Sequence, residues 1–363
     1  MRRIDIVLGS PDGRGGLEKV VSWVSQELKR RGHKVRVFLQ GPPKYAEWVP
    51  TLPEVIYYDP RALQIPDRYE GELDLFRLAL GYRSLIEVVG RPDVILATHT
   101  PLFATMTRLG SIGAETPLIL SWLHGPPHVY GGASLLRFAD GHLAISQGVA
   151  DALRAQIPGA PTVHYLGNPI DFADAQRIPR PATGLDVLFI GRLENTQKRL
   201  DVLLKALAAL TGEWHLTVIG DGPDGPMLNA MATFLDIESR VTWKGWMERP
   251  WDSVATASIL ALTSDFEGFG LVLVEALARG LPVLATDCEG PTDIVRNGEN
   301  GWIVRRSDPS AVAVLFQGLI DGTIDLPEPE TCVSTSLPYR VEGVVDRLEH
   351  AIDYTEAFKS YRN

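Results

Sequence analysis

Short, continuously apolar runs recur along this chain, each leading into a glycine-containing turn and then a segment of helical spacing. Residues 4–8 (IDIVL) form such a run, broken only by Asp5. GSPDGRGG follows at 9–16, a helical segment occupies about 17–31 and ends at Gly32, and 35–39 is a second run. A strand with one wet face alternates apolar and polar residues, whereas a strand buried on both faces reads as an unbroken apolar run. Runs of this kind alternating with helices predict parallel sheets covered by helices on both sides.

The pattern continues at 94–98, 118–122 and 142–145. A second series begins after the proline-rich stretch 177–182 (RIPRPA), with strands expected at 187–190, 215–219, 241–244, 259–263 and 282–285. Helices are expected at 200–210, 227–235 and 271–279, the last closed by Gly280. The fold class is therefore α/β, with two tandem, doubly wound, Rossmann-like domains over 1–170 and 171–337. A helix is expected over 338–363, packing back on the first domain, because Val341, Val344, Val345, Leu348 and Ile352 fall on one face. Ligands of such sheets bind at the carboxyl ends of the strands, which puts the expected active site in the cleft between the domains.

Composition narrows the functions open to such a chain. Hydrophobic residues make up 45% and charged residues 22% of the 363, so each half can bury a core and wholesale disorder is excluded. A net charge of −10 argues against a general nucleic-acid binder. Residues 1–40 run the other way, with nine Lys/Arg against four Asp/Glu. Their cluster Lys29, Arg30, Arg31, Lys34 and Arg36 is either a solvated helix end and strand edge or a face for anionic lipid or substrate. Two cysteines, Cys288 and Cys332, do not make a disulfide framework, and the first apolar run is too short for a secretory leader. The longest stretch without charge, 116–136, contains Gly125, Pro126, Pro127, Gly131 and Gly132 and cannot be a spanning helix. A cytoplasmic protein is expected, with peripheral contact at the inner membrane surface left open.

The segment EGFGLVLVE at 267–275 points most directly to chemistry. Two carboxylates, Glu267 and Glu275, bracket a glycine-rich entry into a helix. Gly268 and Gly270 let backbone approach a ligand closely. The first amides of the helix, at Gly270, Leu271 and Val272, lack intrahelical partners and offer an anion site. The layout suits a nucleotide-sugar: diphosphate on the amides, sugar hydroxyls on Glu267, ribose hydroxyls on Glu275. An N-capping acid and an exposed helix glutamate would also explain it. The second segment, GRLENTQKR at 191–199, offers Arg192 and Lys198 to the same diphosphate without a metal, and the chain has no Asp-x-Asp pair to hold one. As a bare sequence it reads first as a solvated loop.

In the third segment, GRGGLE at 13–18, Glu18 stands where a dinucleotide fold needs a third glycine, and no acid ends the second strand. NAD binding is thereby disfavoured; Gly15 and Gly16 fit better beside diphosphate or sugar. His124 follows a strand at its carboxyl end and is either a structural group or a reacting one, while Pro126 and Pro127 prevent a helical metal pair with His128. Trp243, Lys244 and Gly245 offer backbone groups and an apolar wall to a base, unless Trp243 is simply core.

Taken together these motifs resemble the retaining glycosyltransferases of family 4, which have the two-domain GT-B architecture, over nearly the whole chain. Glu267 and Glu275, the 191–198 segment and Ala144-Ile145-Ser146, placed as the last strand of the first domain, stand in that family's order. Within the family the chain is most similar to bacterial lipopolysaccharide core 1,6-galactosyltransferases, through SW-x-H at 121–124, HLAIS at 142–146, NP at 168–169, QKR at 197–199, GDG at 220–222, W-x-GW at 243–246 with Pro250-Trp251, LTSDFEGF at 262–269 and GPTDI at 290–294.

The resemblance implies transfer of a hexose, galactose favoured, from a UDP-sugar to a hydroxyl of a glycan or glycolipid such as lipopolysaccharide core. No cofactor or metal is implied. Glu267 would contact the donor sugar and Glu275 the ribose, Arg192 and Lys198 the diphosphate, with Phe269 and its neighbours lining the donor and His124 beside the reacting sugar. Gly15 and Gly16 would line the acceptor-side loop. Two departures bear on this: Gly270-Leu271-Val272 replaces the Pro and bulkier Met of the galactosyltransferase type, and 125–139 is particular to this chain. Other UDP- or GDP-sugar transferases of surface polysaccharide synthesis, and a UDP-sugar epimerase of the same architecture, are the competing readings.

Overall fold

The computed structural model describes residues 1–58, 74–113, 116–157, 159, 162–173 and 175–362. It divides into two units, Met1–Ile170 with Tyr339–Asn363, and Asp171–Pro338. The first unit is built on β1 (Arg3–Leu8), β2 (Lys34–Leu39), β3 (Val55–Tyr57), β4 (Val94–Thr98), β5 (Leu118–Leu123), β6 (Gly141–Ala144) and β7 (Val163–Tyr165). These form a parallel sheet in the order β3-β2-β1-β4-β5-β6-β7. The helices Gly16–Arg30, Asp74–Val89, Leu102–Gly110 and Gln147–Gln156 join its strands. Every residue of β4 and β5 is buried, as unbroken apolar runs require.

The 142–145 run, expected as the last strand, is β6; Val163–Tyr165 adds a further edge strand beyond it. Ser146 leaves the sheet to cap helix Gln147–Gln156, its Oγ accepting from the Val149 amide at 3.2 Å. Asp5, the one charge in the first run, is fully buried and receives two hydrogen bonds from Arg36, at 2.7 and 2.9 Å, and one from the Tyr82 hydroxyl at 3.0 Å. Burial pushes its carboxyl up to about 6 against the pull of Arg36 and Tyr82.

Helix Val341–Arg362 belongs to this first unit. It buries Val344, Val345, Leu348, Ala351 and Ile352 completely and packs on helix Gly16–Arg30 and on β5 and β6. Its wet face is acidic and meets the basic cluster. Arg31 reaches Asp346 and Glu349 at 2.6 Å each, Arg2 reaches Asp353 at 2.7 Å and Glu356 at 2.8 Å, and His33 reaches Glu349 at 2.8 Å. With Arg30 and Arg31 also on Glu27 and Arg36 on Asp5, three of the five cluster residues are tied into a charge network within this unit, which favours the first of the two readings, a helix end and strand edge. Lys29 and Lys34 remain exposed.

The second unit carries β8 (Leu185–Ile190), β9 (Trp214–Ile219), β10 (Val241–Trp243), β11 (Ile259–Leu262), β12 (Val283–Thr286) and β13 (Gly301–Val304), all parallel, in the order β10-β9-β8-β11-β12-β13. Helices Leu200–Ala208, Gly225–Phe234 and Pro309–Ile320 pack on a core that includes Phe189, Leu203, Leu216 and Phe316. In both sheets the strand order reverses once, between β1 and β4 and between β8 and β11. At such a point two adjacent loops leave in opposite directions and open a crevice at the carboxyl ends. Among the described residues no helix is long and apolar enough to cross a membrane.

Candidate active site

In the second unit the reversal point holds two loops. One leaves β8 as Gly191-Arg192 and runs to Arg199; the other leaves β11 as Thr263-Ser264 and runs to Gly270. They are laced together. The Asp265 amide donates to the Gln197 carbonyl at 2.8 Å, Thr263 Oγ1 to the Arg199 carbonyl at 2.9 Å, and Arg199 reaches Asp265 at 2.6 Å. Lacing them brings Lys198 to Glu267, Nζ to Oε1 at 2.5 Å, with Ser264 Oγ donating to the same oxygen at 2.7 Å. Both charged side chains are mostly shielded from water, so the pair is oriented rather than fluctuating at the surface.

Gly270 then starts helix Leu271–Ala278 from the left-handed region, φ +92°, a turn that a residue with a Cβ makes only under strain. The helix presents Glu275, buried, whose Oε2 accepts from Trp251 Nε1 at 2.9 Å; the Arg279 guanidinium lies over the Trp251 ring at 4.6 Å. Nothing in the spacing of the two glutamates announces Trp251. Arg192, by contrast, is exposed, and among the described residues its guanidinium reaches only Glu194, at 3.4 Å. Phe269 is buried with its backbone packed against Gly290. Gly268, Leu271 and Val272 line the half-buried entry to the helix.

A cavity opens beside these loops at the ends of β8, β9 and β10, lined by Leu193, Asp221, Asn229, Trp243 and Gly245 among others. Its floor depends on Gly220, where a Cβ would fall 1.8 Å from the Gly191 carbonyl oxygen. Trp243 is half-buried and packs partly on the core, serving both readings of that residue. The Lys244 ammonium is turned away to the Ser253 carbonyl at 2.6 Å.

The reversal point of the first unit has a different chemistry. The glycine-rich loop after β1 is tied by Glu18, whose carboxylate accepts from the Gly13 amide at 2.7 Å and the Gly15 amide at 3.0 Å. The acid that broke the dinucleotide pattern thus holds the loop, and the Gly15 amide is occupied; Gly16 opens the helix that follows. His124 follows β5, its ring 4.9 Å from that of Trp122. Burial, with the neighbouring His99 adding to it, drives His124 down to about 3, so its imidazole is neutral near pH 7. His99 itself, just past β4, was not singled out by any motif. It is one of few non-glycine residues at positive φ, +82°.

Two parallel-sheet units in this strand order, with paired acids around a glycine-started helix and a lysine on the first of them, define a sugar-transferring class: the chain belongs to glycosyltransferase family 4 and has the GT-B fold. Residues 14–174 match Glycosyltransferase Family 4 and residues 172–330 match Glycosyl transferases group 1. Over 272 residues the chain is 33% identical to the lipopolysaccharide 1,6-galactosyltransferase of Escherichia coli K12, covering 72% of this chain and 75% of that one. It superposes on the apo form of the lipopolysaccharide outer core galactosyltransferase WaaB with a TM-score of 0.83 at 26% identity, covering 97% of this chain and 99% of the other. Anabaena HepE, solved in complex with UDP, shares the fold with a TM-score of 0.81 at 19% identity, over 97% of this chain and 100% of that one.

Proposed function

We propose that this glycosyltransferase moves galactose from UDP-galactose to a hydroxyl of a lipopolysaccharide-core type of acceptor, retaining the anomeric configuration and needing no metal. The observation that carries the reading is the Lys198–Glu267 pair at the glycine-started entry of helix Leu271–Ala278, with Glu275 fixed by Trp251 further along it. An ammonium has three N–H donors and Glu267 takes one, leaving Lys198 able to hold diphosphate while it orients the carboxylate. Glu267 then grips donor-sugar hydroxyls, Glu275 the ribose, and the cavity walled by Trp243 the base. Arg192, exposed in this structure, is assigned to the diphosphate as a mobile second cation. The second unit is thus the donor unit, and the first, with His124, the acceptor unit.

In the proposed step the bond from the sugar's anomeric carbon to the diphosphate oxygen breaks. A bond to the acceptor oxygen forms on the same face, and the acceptor proton passes to the departing diphosphate. Negative charge grows on that diphosphate, where Lys198 and the helix amides stabilise it; one such donor is worth about 10²–10³ in rate. A neutral His124 cannot act as a standing acid, which suits it to hydrogen bonding beside the reacting sugar. The galactosyl and lipopolysaccharide assignments are supported by the named function of the Escherichia coli relative. A membrane-held acceptor puts the proposed setting at the cytoplasmic face of the inner membrane, approached peripherally.

The test is nucleoside diphosphate release from UDP-galactose, UDP-glucose, UDP-N-acetylglucosamine and GDP-mannose, each with EDTA, with and without lipopolysaccharide core treated with α-galactosidase. Acceptor-dependent release from UDP-galactose is expected. Release of GDP alone, or conversion of UDP-galactose to another UDP-sugar without acceptor, would replace the reading by one of its competitors.

A further inference from the structure

His99 lies where the first sheet reverses: β1 ends at Leu8 and β4 at Thr98, the two strands pair with each other, and Gly9 and His99 are the first residues beyond them. Its backbone sits at φ +82°, a region that glycine occupies freely and few other residues enter, asparagine, aspartate and histidine more often than the rest. Its Nδ1 is buried and has no hydrogen-bond partner among the described residues. Opposite, a Cβ on residue 9 would press on Phe103 at 3.1 Å and touch His99 Nδ1 at 3.5 Å, so Gly9 gives the ring its seat. The β4–β5 register sets Thr98 against Trp122, which places His99 one residue and His124 two residues beyond the same rung. An unanswered buried nitrogen and a second imidazole alongside are not what a turn needs in order to fold. Non-glycine residues held in the left-handed region cluster at active sites and ligand clamps.

We infer that His99 is an acceptor-positioning residue, whose imidazole hydrogen-bonds a hydroxyl of the acceptor glycan beside His124. The assignment rests on the transferase reading above and deepens it on the acceptor side. A neutral imidazole offers one donor and one acceptor nitrogen, the complement of a hydroxyl. Two of them side by side suit the neighbouring hydroxyls of a sugar, and burial holds both His99 and His124 below the usual imidazole range.

The experiment compares wild type with His99→Gly and His99→Asn, both of which fit the left-handed backbone. Melting temperature, UDP affinity by calorimetry, and transfer from UDP-galactose to α-galactosidase-treated lipopolysaccharide core are measured on the full chain. The expected result is a melting temperature at or above wild type, UDP affinity within about twofold, and kcat/KM for the acceptor lower by at least about tenfold. Added imidazole should restore part of the loss in His99→Gly. Wild-type transfer in both variants overturns the assignment. So does a lowered melting temperature in both, which would make His99 a folding residue, or an equal loss of UDP affinity, which would move it to the donor side. A wild-type protein that moves no sugar to this acceptor overturns the transferase reading itself, a failure seen before any variant is made.

Discussion

Lys198 and Glu267 neutralise each other at 2.5 Å, so removing either leaves a shielded charge without its counterpart. Lys198→Ala and Glu267→Gln should each give a folded protein whose transfer rate falls by at least about tenfold, near 1.4 kcal/mol. Steady-state kinetics beside circular dichroism checks this; wild-type rates in both variants would sink the site. Trp251→Phe keeps a smaller aromatic ring for the Arg279 guanidinium and removes the indole N–H from Glu275. A lost hydrogen bond to a charged group predicts UDP binding weaker by about 1–2 kcal/mol, roughly tenfold, by calorimetry. The two glutamates were singled out by their spacing around a glycine-rich helix start and Lys198 by its place past a strand end; that Lys198 and Glu267 meet, 69 residues apart, is seen only in the fold. Trp251 meets Glu275 from 24 residues away and His99 stands out by a backbone angle, and no motif carries either kind of information; Glu18 was read only as the acid that breaks the dinucleotide pattern, although the amides it ties are three and five residues away. Arg192 was placed with the phosphate ligands by its charge just past a strand end and again by resemblance; its own side chain stands in solvent.

At the scale of elements, β6 carries a buried histidine. His142 Nδ1 lies 2.8 Å from Ser121 Oγ on β5, and burial lowers its pKa from 6.5 to about 4. The unfolded chain binds this proton from about pH 6.5 downward, whereas the folded one resists until about 4. The contribution to stability is therefore whole above 6.5 and is lost as pH falls toward 4, on the order of 3 kcal/mol. His142→Gln should flatten the loss of stability over that interval, as read by denaturant midpoints at a series of pH values; an unchanged slope would show that His142 is not its source. Most strands were legible because burial on both faces enforces unbroken apolar runs. β3, β7 and β13 were not: VIY, VHY and GWIV are short edge segments whose pairing is set by the neighbouring strand, not by their own pattern. Helix Pro309–Ile320 had a readable signal, Asp308 as cap with Pro309 at the first position, that the apolar pattern alone does not supply.

For the molecule as a whole, charge is unevenly used. Arg31 joins Glu27, Asp346 and Glu349 and ties the start of the chain to helix Val341–Arg362. Arg31→Ala should lower stability by about 1–2 kcal/mol, between the values for an exposed and a buried pair, and lessen its sensitivity to salt. Thermal melts at low and high ionic strength check it. Through this helix the first unit is assembled from two stretches of sequence with the whole of the second lying between them. A ribosome therefore finishes every residue of Asp171–Pro338 before it delivers the segment that covers β5, β6 and the first helix. A message cut short ahead of codon 341 would yield a second unit with its full sequence beside a first unit whose apolar face is bare and whose arginines lack their acids, a species suited to chaperone capture or proteolysis.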